Sequence, residues 1–151
     1  MLSLYRMDGL DQKIYDQAVK YLSVRLHTTG ELYRKLKQKG YQDALIRPVL
    51  RRLEELKFLD DQRFAEIFTD NLKHYKDFGY YGVKTKLLAR QIPSDMAEAA
   101  LRDFYPPADE FAVARRLVAK LKRQGRKDRE KLTRSLAGKG FRSEVIYKIL
   151  Q

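Results

Sequence analysis

The sequence contains no cysteine, which excludes disulfides, thiolate zinc sites and cysteine nucleophiles and fits a reducing cytosol. Histidine is scarce. His27 and His74 are the only two; they stand far apart beside expected helix ends, where histidines are commonly structural. No apolar run approaches the ~20 residues that a membrane helix needs, and the early Asp8 and Asp11 do not suit a signal peptide, so the expectation is a soluble, cytoplasmic protein. The phosphate loop ending in Gly-Lys-Ser/Thr, the His-Glu-x-x-His zinc motif and the Gly-x-Ser-x-Gly nucleophile elbow are all missing. The acids are scattered along polar helix faces, where pairing with a lysine four residues away explains them better than acid–base work. These absences predict a protein that is not an enzyme and that uses no cofactor and no metal.

What the sequence does have is a repeat. Leu32, Leu36, Gly40, Tyr41, Ile46, Val49 and Leu50 reappear as Val83, Leu87, Gln91, Ile92, Ala97, Ala100 and Leu101, and again as Leu132, Leu136, Gly140, Phe141, Ile146, Ile149 and Leu150. The shifts are 51 and 49 residues with no slip inside a copy, the signature of a stacked supersecondary unit. Leu32 and Leu36 share one helix face, as do Leu132 and Leu136. Gly40 and Gly140 follow as left-handed helix ends, and the next aromatic folds back onto the stripe. Gln91 replaces that glycine in the second copy, so this helix is expected to end through Ile92-Pro93 instead.

Asp43, Ser94 and Ser143 are read as N-caps of the following helix. Thr28 caps the preceding one and forms a capping box with Glu31, whereas Gly79 and Asp128 take its place in the other copies and Lys131 removes the box from the third. A further helix spans about 13–26, with Ile14, Ala18, Tyr21, Leu22 and Leu26 inward. Asp60 and Asp61 are read as helix-capping acids in preference to a metal pair. Pro106-Pro107 interrupts the chain before the third copy. The layout is all-α: an N-terminal segment, 1–12, expected to be partly disordered, then three-helix modules at 13–58, 59–105 and 106–151. Between helices of the second module lies an aromatic turn, Tyr75 to Gly82, whose rings are mostly expected to pack inward.

Net charge is +12, unevenly spread: Lys+Arg against Asp+Glu is 12 against 8 in residues 1–60, 7 against 7 in 61–105 and 13 against 5 in 106–151. Lys120, Lys122, Arg123, Arg126, Lys127, Arg129 and Lys131 place seven cations in twelve residues around Gly125. They repel one another, and an anionic partner, nucleic acid or an acidic protein surface, explains them best.

The run Leu22-Ser-Val-Arg-Leu-His-Thr-Thr-Gly-Glu-Leu32, then Lys35-Leu36-x-x-Lys39-Gly40-Tyr41 and Leu59-Asp60-Asp61-x-x-Phe64-Ala65, resembles motifs of the RecX family. Gly82 and the Leu87 to Pro93 segment resemble its second module, and the likeness covers about residues 13–150. It implies tandem three-helix modules stacked into an elongated, curved molecule that binds the RecA filament on single-stranded DNA, lodges in its groove and suppresses ATP hydrolysis, strand exchange and co-protease activity. A role in homologous recombination, DNA repair and the SOS response, as a monomer with no membrane partner, goes with that family.

The candidate contacts with RecA or DNA are Arg34, Lys35, Lys37, Lys39, Arg47, Arg51, Arg52, Lys120, Lys122, Arg123, Arg126, Lys127, Arg129, Lys131 and Arg134. Arg25 matches the family motif and is read as bracing the turn before Thr28. Two other readings stay open: a sequence-nonspecific DNA-binding protein that acts without RecA, and a helical adaptor for an acidic protein.

Overall fold

The computed structural model describes residues 10–151; the disorder expected at the start of the chain falls mainly on residues 1–9, outside the described residues. Those described form nine α-helices and no strand. They divide into two compact units, one ending at Asp61 and the other running from Gln62 to Gln151.

The first unit holds α1 (Gln12–Val24), α2 (Thr29–Gln38) and α3 (Asp43–Glu55). Asp11 caps α1 through the Ile14 amide. Ile14, Ala18, Leu32, Leu36, Ile46, Val49 and Leu53 are fully buried together, as the three- and four-residue spacing requires. Helix α1 stops at Val24 because Arg25 is extended (φ −161°). Leu26 therefore leaves the helical face and is 76% exposed, contrary to the inward position its spacing suggests. The Thr28–Glu31 capping box forms: the Glu31 amide donates to Thr28 Oγ1 at 3.1 Å and the Thr28 amide to Glu31 Oε1 at 3.0 Å. Asp61 also serves α2, accepting from the Thr29 amide at 2.8 Å across 32 residues of sequence. Arg25 donates to Leu26 O at 2.7 Å and lies 3.6 Å from Glu31, so it braces the turn as expected.

The second unit holds α4 (Asp61–Tyr75, whose first residue closes the other unit), α5 (Tyr80–Ala89), α6 (Ser94–Phe104), α7 (Pro107–Arg123), α8 (Arg129–Gly138) and α9 (Ser143–Ile149). One continuous core joins Val83, Leu87 and Leu101 to Ala114, Leu117, Leu132 and Leu136. Leucines of the second and third repeats thus share an interior.

Backbone contact makes that fusion possible. The Gly79 amide donates to Lys139 O and the Tyr81 amide to Gly140 O, both at 2.8 Å, which satisfies amides that the start of α5 leaves without an intrahelical partner. A Cβ on Gly140 would stand 2.0 Å from the Gly82 nitrogen, so a side chain there would force α5 and the α8–α9 turn apart. Beneath them Glu110 of α7 is fully buried. Its Oε2 accepts from the backbone amides of Tyr80 (3.0 Å) and Arg142 (3.1 Å), and its Oε1 from Arg142 Nε (2.7 Å).

Two local expectations change. Asp43, Ser94 and Ser143 are the first helical residues, preceded by Gln42, Pro93 and Arg142, none of which makes a side-chain cap bond. Asp43 instead accepts from the Tyr33 hydroxyl and from Arg47. Helix α5 ends as its two counterparts do: Gln91 takes the left-handed conformation (φ 64°) that Gly40 (φ 94°) and Gly140 (φ 83°) adopt, and the Ile92 amide donates to Leu87 O just as Tyr41 does to Leu36 O and Phe141 to Leu136 O. The motif persists without glycine because the carbonyls at the helix end need donors, at a conformational cost of about 1 kcal/mol.

Candidate cationic interface

The candidate cations divide by what faces them. In the first unit Arg34, Lys37 and Lys39 on or beside α2, and Arg51 on α3, are exposed and carry no ion pair among the described residues. Lys35 is turned inward: its Nζ lies 2.9 Å from His27 Nε2 and 4.9 Å from the Tyr21 ring centroid. His27 is buried, its Nδ1 is 2.9 Å from Arg25 O, and burial holds its pKa below the ordinary histidine value. That pattern requires a neutral ring with the proton on Nδ1 and Nε2 accepting from Lys35. Arg47 donates from Nε to Asp43 at 2.7 Å and sits 4.9 Å from the Tyr33 ring. Hydrogen bonds from Tyr33 and Arg47 lower the Asp43 pKa, and the same carboxylate raises that of the Tyr33 phenol. Arg52 is 3.2 Å from Glu55. Arg47 and Arg52 are therefore partly neutralised from within, whereas Lys35 keeps its charge and is held in place by neutral partners.

The second unit gathers the rest. Lys120, Lys122 and Arg123 occupy the last turn of α7, where cations suit the negative end of the helix dipole. Lys120 is 3.9 Å from Asp77. The chain then turns through Gly125 (φ 93°), with the Arg126 amide donating to Leu121 O at 3.0 Å, and Asp128 caps α8 through the amides of Glu130 and Lys131. Arg126 donates to Ser135 Oγ at 3.2 Å, and Arg126, Lys131, Arg134 and Ser135 line one shallow depression. Arg129, Glu130, Thr133 and Arg134 line a second beside it. Every candidate from Lys120 to Arg134 is exposed. Arg129 and Lys131 stand in the first turn of α8, where positive charge opposes the dipole, so helix stability does not account for them.

Other cations of this unit do structural work that the sequence does not reveal. Arg116 donates to Asp77 Oδ1 at 2.6 Å and to Lys73 O at 2.6 Å, closing the end of α4. Lys73 is buried, with its Nζ bonded to Phe104 O and 2.8 Å from Asp109. Lys139 donates to Lys76 O at 2.9 Å and lies 4.4 Å from the Phe78 ring. In the aromatic turn Phe78 and Tyr80 are half-buried as expected, but Tyr75 and Tyr81 are 78% and 55% exposed. No helix among the described residues is long and apolar enough to cross a membrane, and no three of their His, Asp or Glu side chains converge to hold a metal ion.

Repeated three-helix units with a concentrated cationic edge define a class, the helical-repeat proteins with a strongly basic surface. Comparison with known proteins narrows the class. Models of the first and third three-helix domains of RecX match residues 15–53 and 108–150. The regulatory protein RecX of Prosthecochloris aestuarii is 34% identical over 143 residues, covering 95% of each chain, and that of Geobacillus kaustophilus is 31% identical over 92% of this chain and 53% of its own. The crystal structure of RecX from Lactobacillus salivarius superposes with a TM-score of 0.82 at 28% identity, over 92% of this chain and 93% of that one. The chain belongs to the RecX family of regulatory proteins.

Proposed function

We propose that this protein regulates the RecA recombinase by binding the RecA filament on single-stranded DNA along its groove, suppressing ATP hydrolysis, strand exchange and co-protease activity. It does so by binding alone, as a cytoplasmic protein that is monomeric in dilute solution and uses no cofactor. Family membership supports the partner, and the observation that carries the reading is the exposed cationic edge from Lys120 to Arg134. Four of its cations, Arg126, Arg129, Lys131 and Arg134, line adjoining depressions, a geometry suited to phosphates or clustered carboxylates. Arg34, Lys37, Lys39 and Arg51 are the exposed candidates of the first unit.

The deciding experiment is a RecA ATPase assay on single-stranded DNA titrated with this protein. Saturable inhibition is expected, and an unchanged rate at excess protein rules the reading out. Direct contact with DNA is favoured by the exposed rings of Tyr75 and Tyr81, because bases stack on aromatic rings while cations track the backbone. If DNA binding is the whole activity, the protein binds single strands without RecA, with an affinity that falls steeply as salt rises.

A further inference from the structure

A groove of the opposite charge lies between the first half of α4 and α6. Glu66, Asp95 and Asp103 form its rim and Met96, Ala99 and Phe104 much of its floor, and no cation lines it. In a chain of net charge +12, such a groove selects a cationic occupant. Asp103 stands in the last turn of α6, where a carboxylate opposes the helix dipole, and its one ion pair among the described residues, to the neighbouring Arg102, is 3.7 Å long with both side chains mostly exposed, a contact of little energetic weight. The stability of α6 does not explain this carboxylate; a cation brought from outside does. A lysine or arginine meets both halves of the groove, its aliphatic stem lying on Met96 and Phe104 and its head reaching the rim.

We infer that the occupant is the α7–α8 turn of a second copy of this chain. That turn carries seven cations in twelve residues, and Lys122, Arg123 and Lys127 are exposed with no ion pair among the described residues. None of its residues lines the groove of its own chain, so the two complementary surfaces meet only between copies. The contact is heterologous and propagates head to tail. Three rim carboxylates neutralise at most three of the seven cations, which leaves the others for a polyanion. Mutual repulsion of strongly cationic copies keeps the contact weak in dilute solution, and it strengthens where copies are held side by side. Such crowding on a RecA filament rests on the function proposed above; the contact itself does not.

The absence of native cysteine gives a direct test. Gln62→Cys marks the groove and Gln124→Cys the tip, both at exposed positions and without removing a charge. Mixing the two full-length variants at high concentration without RecA and oxidising them should give the mixed disulfide in excess of either homodimer, since the bond forms only when the Cα atoms come within about 7 Å. Asp103→Lys should weaken self-association, read by sedimentation, about tenfold or more while leaving the melting temperature equal or higher. A partner population carrying Arg123→Glu and Arg126→Glu should restore pairing with it. Homodimers alone, no disulfide, or an Asp103→Lys protein that associates like the parent overturns the inference. A parent protein that inhibits RecA yet gives no mixed disulfide refutes the contact and spares the regulatory reading; a mixed disulfide from a protein inert toward RecA does the reverse.

Discussion

Glu110 on α7 and Arg142 at the start of α9 meet at 2.7 Å, Oε1 to Nε, with the carboxylate fully buried. The same carboxylate terminates the orphan amides of Tyr80 and Arg142, so one side chain ties α5, α7 and α9. Glu110→Ala leaves a cation and two amides without their acceptor and should cost about 3–5 kcal/mol. Urea unfolding followed by circular dichroism measures the loss, and hydrogen exchange should place it in residues 62–151 while the amides of Leu32 and Leu36 keep their protection.

The three helix ends that share one backbone motif should answer differently to substitution. Gln91→Gly relieves a left-handed side-chain residue and should stabilise by about 1 kcal/mol. Gly40→Ala meets nothing within 4 Å and should lose only that conformational term. Gly140→Ala adds a backbone clash at Gly82 and should cost about 3 kcal/mol. Equal losses for the two alanine variants would show that α5 does not press on the α8–α9 turn.

Acid should loosen the first unit through His27. Burial lowers its pKa in the folded chain, so between that lowered value and the unfolded value, about 6.5, the unfolded state binds more protons than the folded state. The His27 contribution is therefore fully present above pH ~6.5 and declines as pH falls below it, as the imidazolium would face Lys35 and Arg25. Unfolding free energies measured at pH 7.5 and pH 5 should fall more for the parent than for His27→Gln.

Charge reversal at Arg123, Arg126 and Lys127 together should weaken RecA inhibition about tenfold or more with helicity and melting nearly unchanged, because all three are exposed. Lys35→Ala should do the opposite, lowering stability through His27 and Tyr21 while sparing inhibition. An unaltered inhibition curve for the triple variant would remove the basic turn from the contact surface.

Tyr75→Ala and Tyr81→Ala remove rings that face solvent and should leave stability within about 0.5 kcal/mol. If bases stack there, fluorescence anisotropy with a labelled single strand should show each change weakening binding by about 1–3 kcal/mol.

Much of this fold could be read from residue order because the interactions that write it are short in sequence. The four-residue spacing of Leu32 and Leu36, the Thr28–Glu31 box and the glycine ends at Gly40 and Gly140 act within a few residues, so periodicity and caps located the helices and their repetition. The same locality misled at Gln91, where a terminal hydrogen-bond pattern prevailed over side-chain preference, and at Leu26, where the chain leaves the helix two residues early. The candidate surface was legible as a concentration of charge, since repulsion among neighbouring cations is itself a sequence property.

Which cations remain available was decided only by tertiary structure. Arg116 is consumed by Asp77 and the end of α4, Arg142 by Glu110 and Lys73 by Asp109, partners 32–39 residues away. No local pattern encodes such distances. Composition and spacing determined that this is a cationic helical repeat; where folding brings a few carboxylates determined which of its cations are tied down, because a charge gives up its freedom in water only where it meets a counter-ion.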